Sequence, residues 1–153
     1  MHTCCKPVKD FLDYGRELHG EIQAFYDTLS EQSDKERVRM LLDYLSRHEK
    51  TMEESLHRFE QVTRQSILAV WLEHVPRLSI QEIIDECGIK AGATLDDVLA
   101  IALKFDAAMI KLYRDVAENA KDARVKEVFN NIADMEVSED NKLLRSVSML
   151  REM

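Results

Sequence analysis

At 153 residues the chain has the length of one domain and enough mass to bury a full core. Four glycines and two prolines leave few sites for the tight turns of an all-β fold, whereas abundant Leu, Met, Ala, Glu, Lys and Arg suit long helices. A formal net charge of −8 argues against nucleic acid, whose phosphates would need a basic face, and disfavours anionic membrane surfaces.

The first predicted helix covers about residues 8–31, with Val8, Phe11, Leu12, Leu18, Ile22, Phe25 and Leu29 at helical spacing. Ser33 followed by Glu36 has capping-box spacing and predicts the start of a second helix, about 34–62, with Val38, Leu41, Leu42, Leu45, Met52, Leu56 and Phe59 on one face. Residues 63–93 form a crossover with an apolar segment (Ile67, Leu68, Val70, Trp71, Leu72), then Pro76, then Ile80, Ile83 and Ile84 at helical spacing before Gly88. A third helix, about 94–119, starts near Thr94 with Asp96 and Asp97 at its positive end. The fourth runs over about 122–151 through Val125, Val128, Phe129, Ile132, Leu143, Val147 and Leu150. Short connections make each successive pair an antiparallel hairpin, and the long crossover lets the second hairpin lie parallel to the first. The expected architecture is all-α: one four-helix bundle of two helix hairpins joined by a crossover with short helical segments, spanning residues 1–153 as a single domain.

The hairpins repeat in sequence. A shift of 87 residues aligns Tyr26 with Tyr113, Glu31 with Glu118, Arg37 with Arg124, Val38 with Val125, Glu49 with Glu136, Leu56 with Leu143 and Arg58 with Arg145. Roughly two or three identities would arise by chance at average composition. The same shift lays His19 on Asp106.

Four of the apolar stripes are interrupted by a group that is expensive to bury: His19, Glu49, Asp106 and Glu136, with Glu139 one turn beyond Glu136. His19 to Glu49 and Asp106 to Glu136 are both steps of 30 residues. At about 1.5 Å rise per residue each group lies about 20 to 24 Å from its hairpin loop, so all converge near mid-bundle. One imidazole among carboxylates supplies hard oxygen donors plus a nitrogen, a set suited to iron or manganese rather than structural zinc. Taken singly, the same residues have plainer readings. His19 can be a satisfied core histidine, Glu49 or Glu136 can lean out to solvent, and Tyr26 and Tyr113 can be amphipathic core residues. The charge runs Glu31–Arg39 and Lys121–Lys126 read as solvated hairpin ends.

With its paired hairpins, long crossover and polar ring, the chain resembles the ferritin-like superfamily, and rubrerythrin-type domains in particular, from about Val8 to Leu150. The matching phrases are Leu18–His19–Gly20–Glu21–Ile22 through Phe25–Tyr26, Leu45–Ser46–Arg47–His48–Glu49–Lys50–Thr51–Met52, Phe105–Asp106 through Leu112–Tyr113, and Ile132–Ala133–Asp134–Met135–Glu136–Val137–Ser138–Glu139. That family places one Glu on each of two helices and Glu-x-x-His on each of the others. Here Met52 and Glu139 stand where the histidines belong, and His19 and Asp106 replace the single glutamates. The resemblance implies metal ligation by His19, Glu49, Asp106, Glu136 and Glu139, with Glu49 and Glu136 bridging. Tyr26, Tyr113, His48 and Met52 would surround the ligands, His48 as a further candidate nitrogen and Met52 as packing, since a thioether is a poor ligand for hard iron.

Three readings of function follow. In the first, the bundle binds iron or manganese, as a di-iron centre or a single ion, with a peroxide or oxygen redox role or an iron-handling role. An active centre would make the protein a non-haem di-metal oxidoreductase. In the second, the ring is a metal-free ion-paired network in a structural or protein-interaction module, with His19 protonated among acids. Trp71, Leu68 and Leu72 on the crossover would then offer an interface or simply core packing. The third is a small-molecule pocket between helices, for which no ligand is specified. The resemblance implies a homodimer and, without rubredoxin-type cysteines, a separate electron donor. Cys4 and Cys5 are adjacent near the amino terminus, where with His2 they could bind metal as a tag, and Cys87 stands alone. Unpaired cysteines, no run of the roughly 20 apolar residues of a membrane span and no signal-peptide stretch lead to the expectation of a cytoplasmic protein.

Overall fold

The computed structural model describes residues 5–152, so His2 and Cys4 of the terminal cluster lie outside the described residues. Four long helices form the bundle: α1 (Val8–Gln32), α2 (Glu36–Val62), α5 (Leu95–Asn119) and α6 (Ala123–Glu152), with the short α3 (Gln65–Leu68) and α4 (Ile80–Cys87) on the crossover. The four long elements lie within two residues of the boundaries read from the sequence. α1 pairs most closely with α2 and α5 with α6. The core is a continuous apolar cluster running the length of the bundle, from Phe11, Leu56, Phe129 and Tyr113 at one end to Tyr26, Leu41 and Phe105 at the other.

Local chemistry sets the helix ends. Thr94 and Asp97 form a reciprocal capping box at the start of α5: Thr94 Oγ1 accepts from the Asp97 N–H and Asp97 Oδ2 from the Thr94 N–H. The Ser79 hydroxyl accepts from the Glu82 N–H to open α4, and Gly88 closes it in the left-handed conformation at φ 60°. The expectation at Ser33 is corrected. The cap of α2 is Lys35, with no side-chain hydrogen bond, and the Ser33 hydroxyl instead accepts from the Lys35 N–H in the turn. Glu36 is the first residue of α2 rather than its third, so no reciprocal pair can form.

The crossover is pinned along its path. Lys6–Pro7 (β1) pairs antiparallel with Trp71–Leu72 (β2), a ladder extended by the Val8 N–H donating to the Val70 carbonyl at 2.8 Å. Two residues per strand carry no periodic signature, which is why the ladder is invisible in the sequence. The Tyr14 hydroxyl donates to the Leu78 carbonyl and accepts from the Leu78 N–H, clamping the crossover onto α1. At its far end Lys35 Nζ donates to the Gly92 carbonyl at 2.9 Å, so α5 begins beside the α1–α2 turn. Lys121 in the α5–α6 turn pairs with Glu73 at the opposite end. The second hairpin is therefore parallel to the first in the sense that α5 runs with α2, and the two hairpin turns cap opposite ends. Leu68 and Leu72 are buried, whereas Trp71 faces solvent. Cys87 is free and half-buried, and Cys5 is disulfide-bonded, which corrects the reading of all three cysteines as unpaired. Among the described residues no helix is long and apolar enough to cross a membrane.

Candidate metal centre

Each long helix turns its apolar stripe inward, and in each the stripe is broken near its middle. On α1 His19 sits among Gly15, Leu18 and Ile22; on α2 Glu49 follows Leu45 and precedes Met52; on α5 Asp106 adjoins Phe105; on α6 Glu136 follows Ile132 and Ala133. Helical periodicity therefore points these groups at the bundle axis, where their exposure is 0%, 1%, 2% and 0% respectively. His48, next to Glu49, is turned about 100° around α2. It is also buried, in the seam between α2 and α6.

The ring has two halves. In the first, His19 stands between two carboxylates. Its Nδ1 is hydrogen-bonded to Glu49 Oε1 at 2.8 Å. Its Nε2 lies 2.9 Å from Glu136 Oε1, within ion-pair distance but off the axis of a hydrogen bond, and 3.4 Å from the Tyr113 hydroxyl. In the second half, His48, Asp106 and Glu136 each bring a ligand atom within 4.8 Å of the others. His48 Nε2, Asp106 Oδ2, both Glu136 oxygens and Asp140 Oδ1 are buried without a hydrogen-bond partner.

The electrostatics follow from burial and crowding. Burial opposes a charge on His19, but Glu136 and then Glu49 outweigh it, and the imidazole pKa is raised to about 10. Burial, a hydrogen bond with Asp140 and the negative charge of Glu49 push the Asp106 carboxyl up to about 11. Glu136 is raised by burial against the counteracting pull of His19. The Tyr26 and Tyr113 hydroxyls are held well above their ordinary value, first by burial and then by the carboxylates around them. Without a bound cation, a proton on His19 and one on Asp106 offset part of the negative charge crowded here.

The remaining sequence-nominated residues lie around this core. The Glu139 side chain is 20% exposed, 3.1 Å from Lys142 Nζ, and its other oxygen is 3.5 Å from His48 Nδ1. It stands at the rim of the seam. Tyr113 reaches His19, and Tyr26 packs edge-on against Phe105. Met52 is buried. Asp140 was not singled out from the sequence, although a carboxylate four residues after Glu136 shares its helical face.

The donor set fits a divalent transition-metal ion. A single cation would satisfy the orphaned oxygens and the imidazole nitrogen, and would offset the several kcal/mol per charge that burial otherwise costs. His48 is arranged to contribute, since an Nδ1 proton facing Glu139 leaves the lone pair on Nε2.

Solved structures that share the fold include a protein from Thermotoga maritima provisionally assigned as a ferritin-like diiron-carboxylate protein. It superposes with a TM-score of 0.60 at 23% sequence identity, covering 96% of this chain and 98% of that one. A hypothetical protein from Pyrococcus furiosus gives a TM-score of 0.50 at 19% identity, covering 95% of this chain and 90% of the other. No protein-family model and no curated protein matches the sequence. At these identities the likeness establishes the fold: an all-α, ferritin-like bundle.

Proposed function

We propose that the protein is a ferritin-like metalloprotein that binds iron or manganese in the bundle core and serves in peroxide or oxygen redox chemistry or iron handling. The observation that carries this reading is the convergence of His48, Asp106 and Glu136 within 4.8 Å, with His48 Nε2, Asp106 Oδ2 and Glu136 Oε2 buried and without a hydrogen-bond partner. The description of the Thermotoga maritima protein as a diiron-carboxylate protein supports it further.

In this reading Asp106 and Glu136 neutralise the ion's charge, and His48 supplies a nitrogen whose orientation Glu139 fixes. Tyr113 and Glu49 hold His19, and the surrounding apolar side chains keep bulk water away. An iron or manganese ion held there would supply the one-electron couple that peroxide or oxygen chemistry requires. A separate protein as electron donor and a homodimer belong to the same proposal. Elemental analysis of the protein as purified and after reconstitution tests the metal. Stoichiometric iron or manganese that disappears in Asp106→Asn with Glu136→Gln is expected, and wild-type protein that takes up neither metal would overturn the reading.

The second reading is the metal-free bundle, favoured by one specific feature: His19 already bridges Glu49 and Glu136 as a cation would. It leaves the orphaned atoms around His48 and Asp106 unexplained, and for that reason ranks below the first.

A further inference from the structure

The two halves of the buried ring are not equivalent, and the difference lies in α1. The His19 ring fills the space between Glu49 and Glu136, its nitrogens 2.8 Å from one carboxylate and 2.9 Å from the other. It cannot swing aside. The ring is wholly buried, Tyr113 lies 3.4 Å from Nε2, and the Tyr113 hydroxyl is itself backed by Gly15 of α1, where even an added Cβ would come within 2.9 Å of it. A second ion sharing Glu49 and Glu136 would have to occupy the volume the imidazole takes. Among the described residues the orphaned atoms other than Glu136 Oε1, which faces His19, belong to the other half: His48 Nε2, Asp106 Oδ2, Glu136 Oε2 and Asp140 Oδ1. Asp140, one turn beyond Glu136 on α6, adds a further buried carboxylate oxygen without a hydrogen-bond partner.

Resting on the reading that the core binds metal, we propose that the centre takes one divalent ion and not two. His48, Asp106 and Glu136 hold it, and the His19 ring occupies the place of a second ion. The repeat relating the two hairpins has been broken at this point: His19 and Asp106 are counterparts, but one is a resident plug and the other a ligand.

Titration of metal-free protein with Mn(II), read by equilibrium uptake and by electron paramagnetic resonance, tests the proposal. Wild-type protein is expected to bind one equivalent and to give the spectrum of an isolated Mn(II) ion. His19→Glu, which replaces the ring with a carboxylate, is expected to bind a second equivalent and to show the broadened spectrum of two coupled ions. His19→Ala, which leaves room for an ion and its waters, is the substitute if circular dichroism shows that the glutamate variant does not fold. Two equivalents in the wild type would overturn the single-ion proposal while leaving the metal-binding reading intact. So would a folded His19 variant that still takes only one. Failure of wild-type protein to take up either manganese or iron would overturn both.

Discussion

His19 lies between Glu49 and Glu136 with no route to water, and that placement dictates how the metal-free protein responds to pH. Its pKa is raised to about 10 in the folded chain against an ordinary 6.5. A raised pKa means that folding favours the protonated form. The stabilisation is complete below about pH 6.5 and is lost as pH rises through about 10. Asp106, raised from 3.8 to about 11, has the same sign: its carboxyl is neutral when folded and ionised when unfolded, so stability drains away as pH climbs above 3.8. The melting temperature of metal-free protein is therefore expected to fall between about pH 6.5 and 10, with a shallower fall in His19→Gln. The His19 effect amounts to a few kcal/mol at order of magnitude. Parallel profiles for the two proteins would show that His19 is not held as a cation. His19, Glu49, Asp106 and Glu136 were legible as candidates because each stands where an apolar residue belongs. Asp140 was not, because it sits in the polar run Ser138–Lys142, and the burial of one carboxylate oxygen within such a run leaves no trace in the sequence. The repeat also misdirects there: its counterpart, Glu53, pairs with Arg16 at the partly exposed α1–α2 seam.

Helices carry information of a different kind. Their existence, order and pairing followed from stripes of apolar residues, whereas their ends depended on single hydrogen bonds that spacing alone does not decide. Ser33–Glu36 and Thr94–Asp97 share one spacing, yet only the second pair forms a reciprocal cap, since the turn before α2 runs two residues longer than the sequence reading placed it. The crossover's ladder and the Tyr14 clamp rest on contacts between residues 62 or more positions apart and could not be read locally. Gly15 shows how packing overrides propensity. In an isolated helix Gly→Ala gains roughly 0.5–1 kcal/mol. In α1 the new Cβ would lie 2.9 Å from the Tyr113 hydroxyl and 3.2 Å from Leu56 Cδ1. Tyr113 is fully buried and stacked on Phe129, so it has little room to yield. Gly15→Ala is thus expected to destabilise the fold by roughly 1–3 kcal/mol, measured by denaturant unfolding. A stabilised variant would mean that α1 and α5 are packed more loosely around the ring.

Across the whole bundle, the acids at its centre work against the fold that holds them. The apolar cluster above and below the ring supplies the stability, and the ring draws on it by leaving buried oxygens without partners. Such an arrangement makes sense if a ligand supplies what the protein withholds. Asp106→Asn separates the two contributions, since asparagine keeps the shape of the protonated carboxyl but weakens the ligand. Thermal unfolding of wild type and Asp106→Asn, each with and without excess Mn(II) or Fe(II), is the decisive comparison. Without metal the variant is expected to be the more stable, by roughly 1–3 kcal/mol, because one unsatisfied buried acid is gone. With metal only the wild type is expected to gain, by about 2.7 kcal/mol at a hundredfold excess over the dissociation constant. A wild type whose melting temperature ignores both metals, alongside a variant less stable than it, would contradict a metal centre at Asp106 and leave the ring as structure alone.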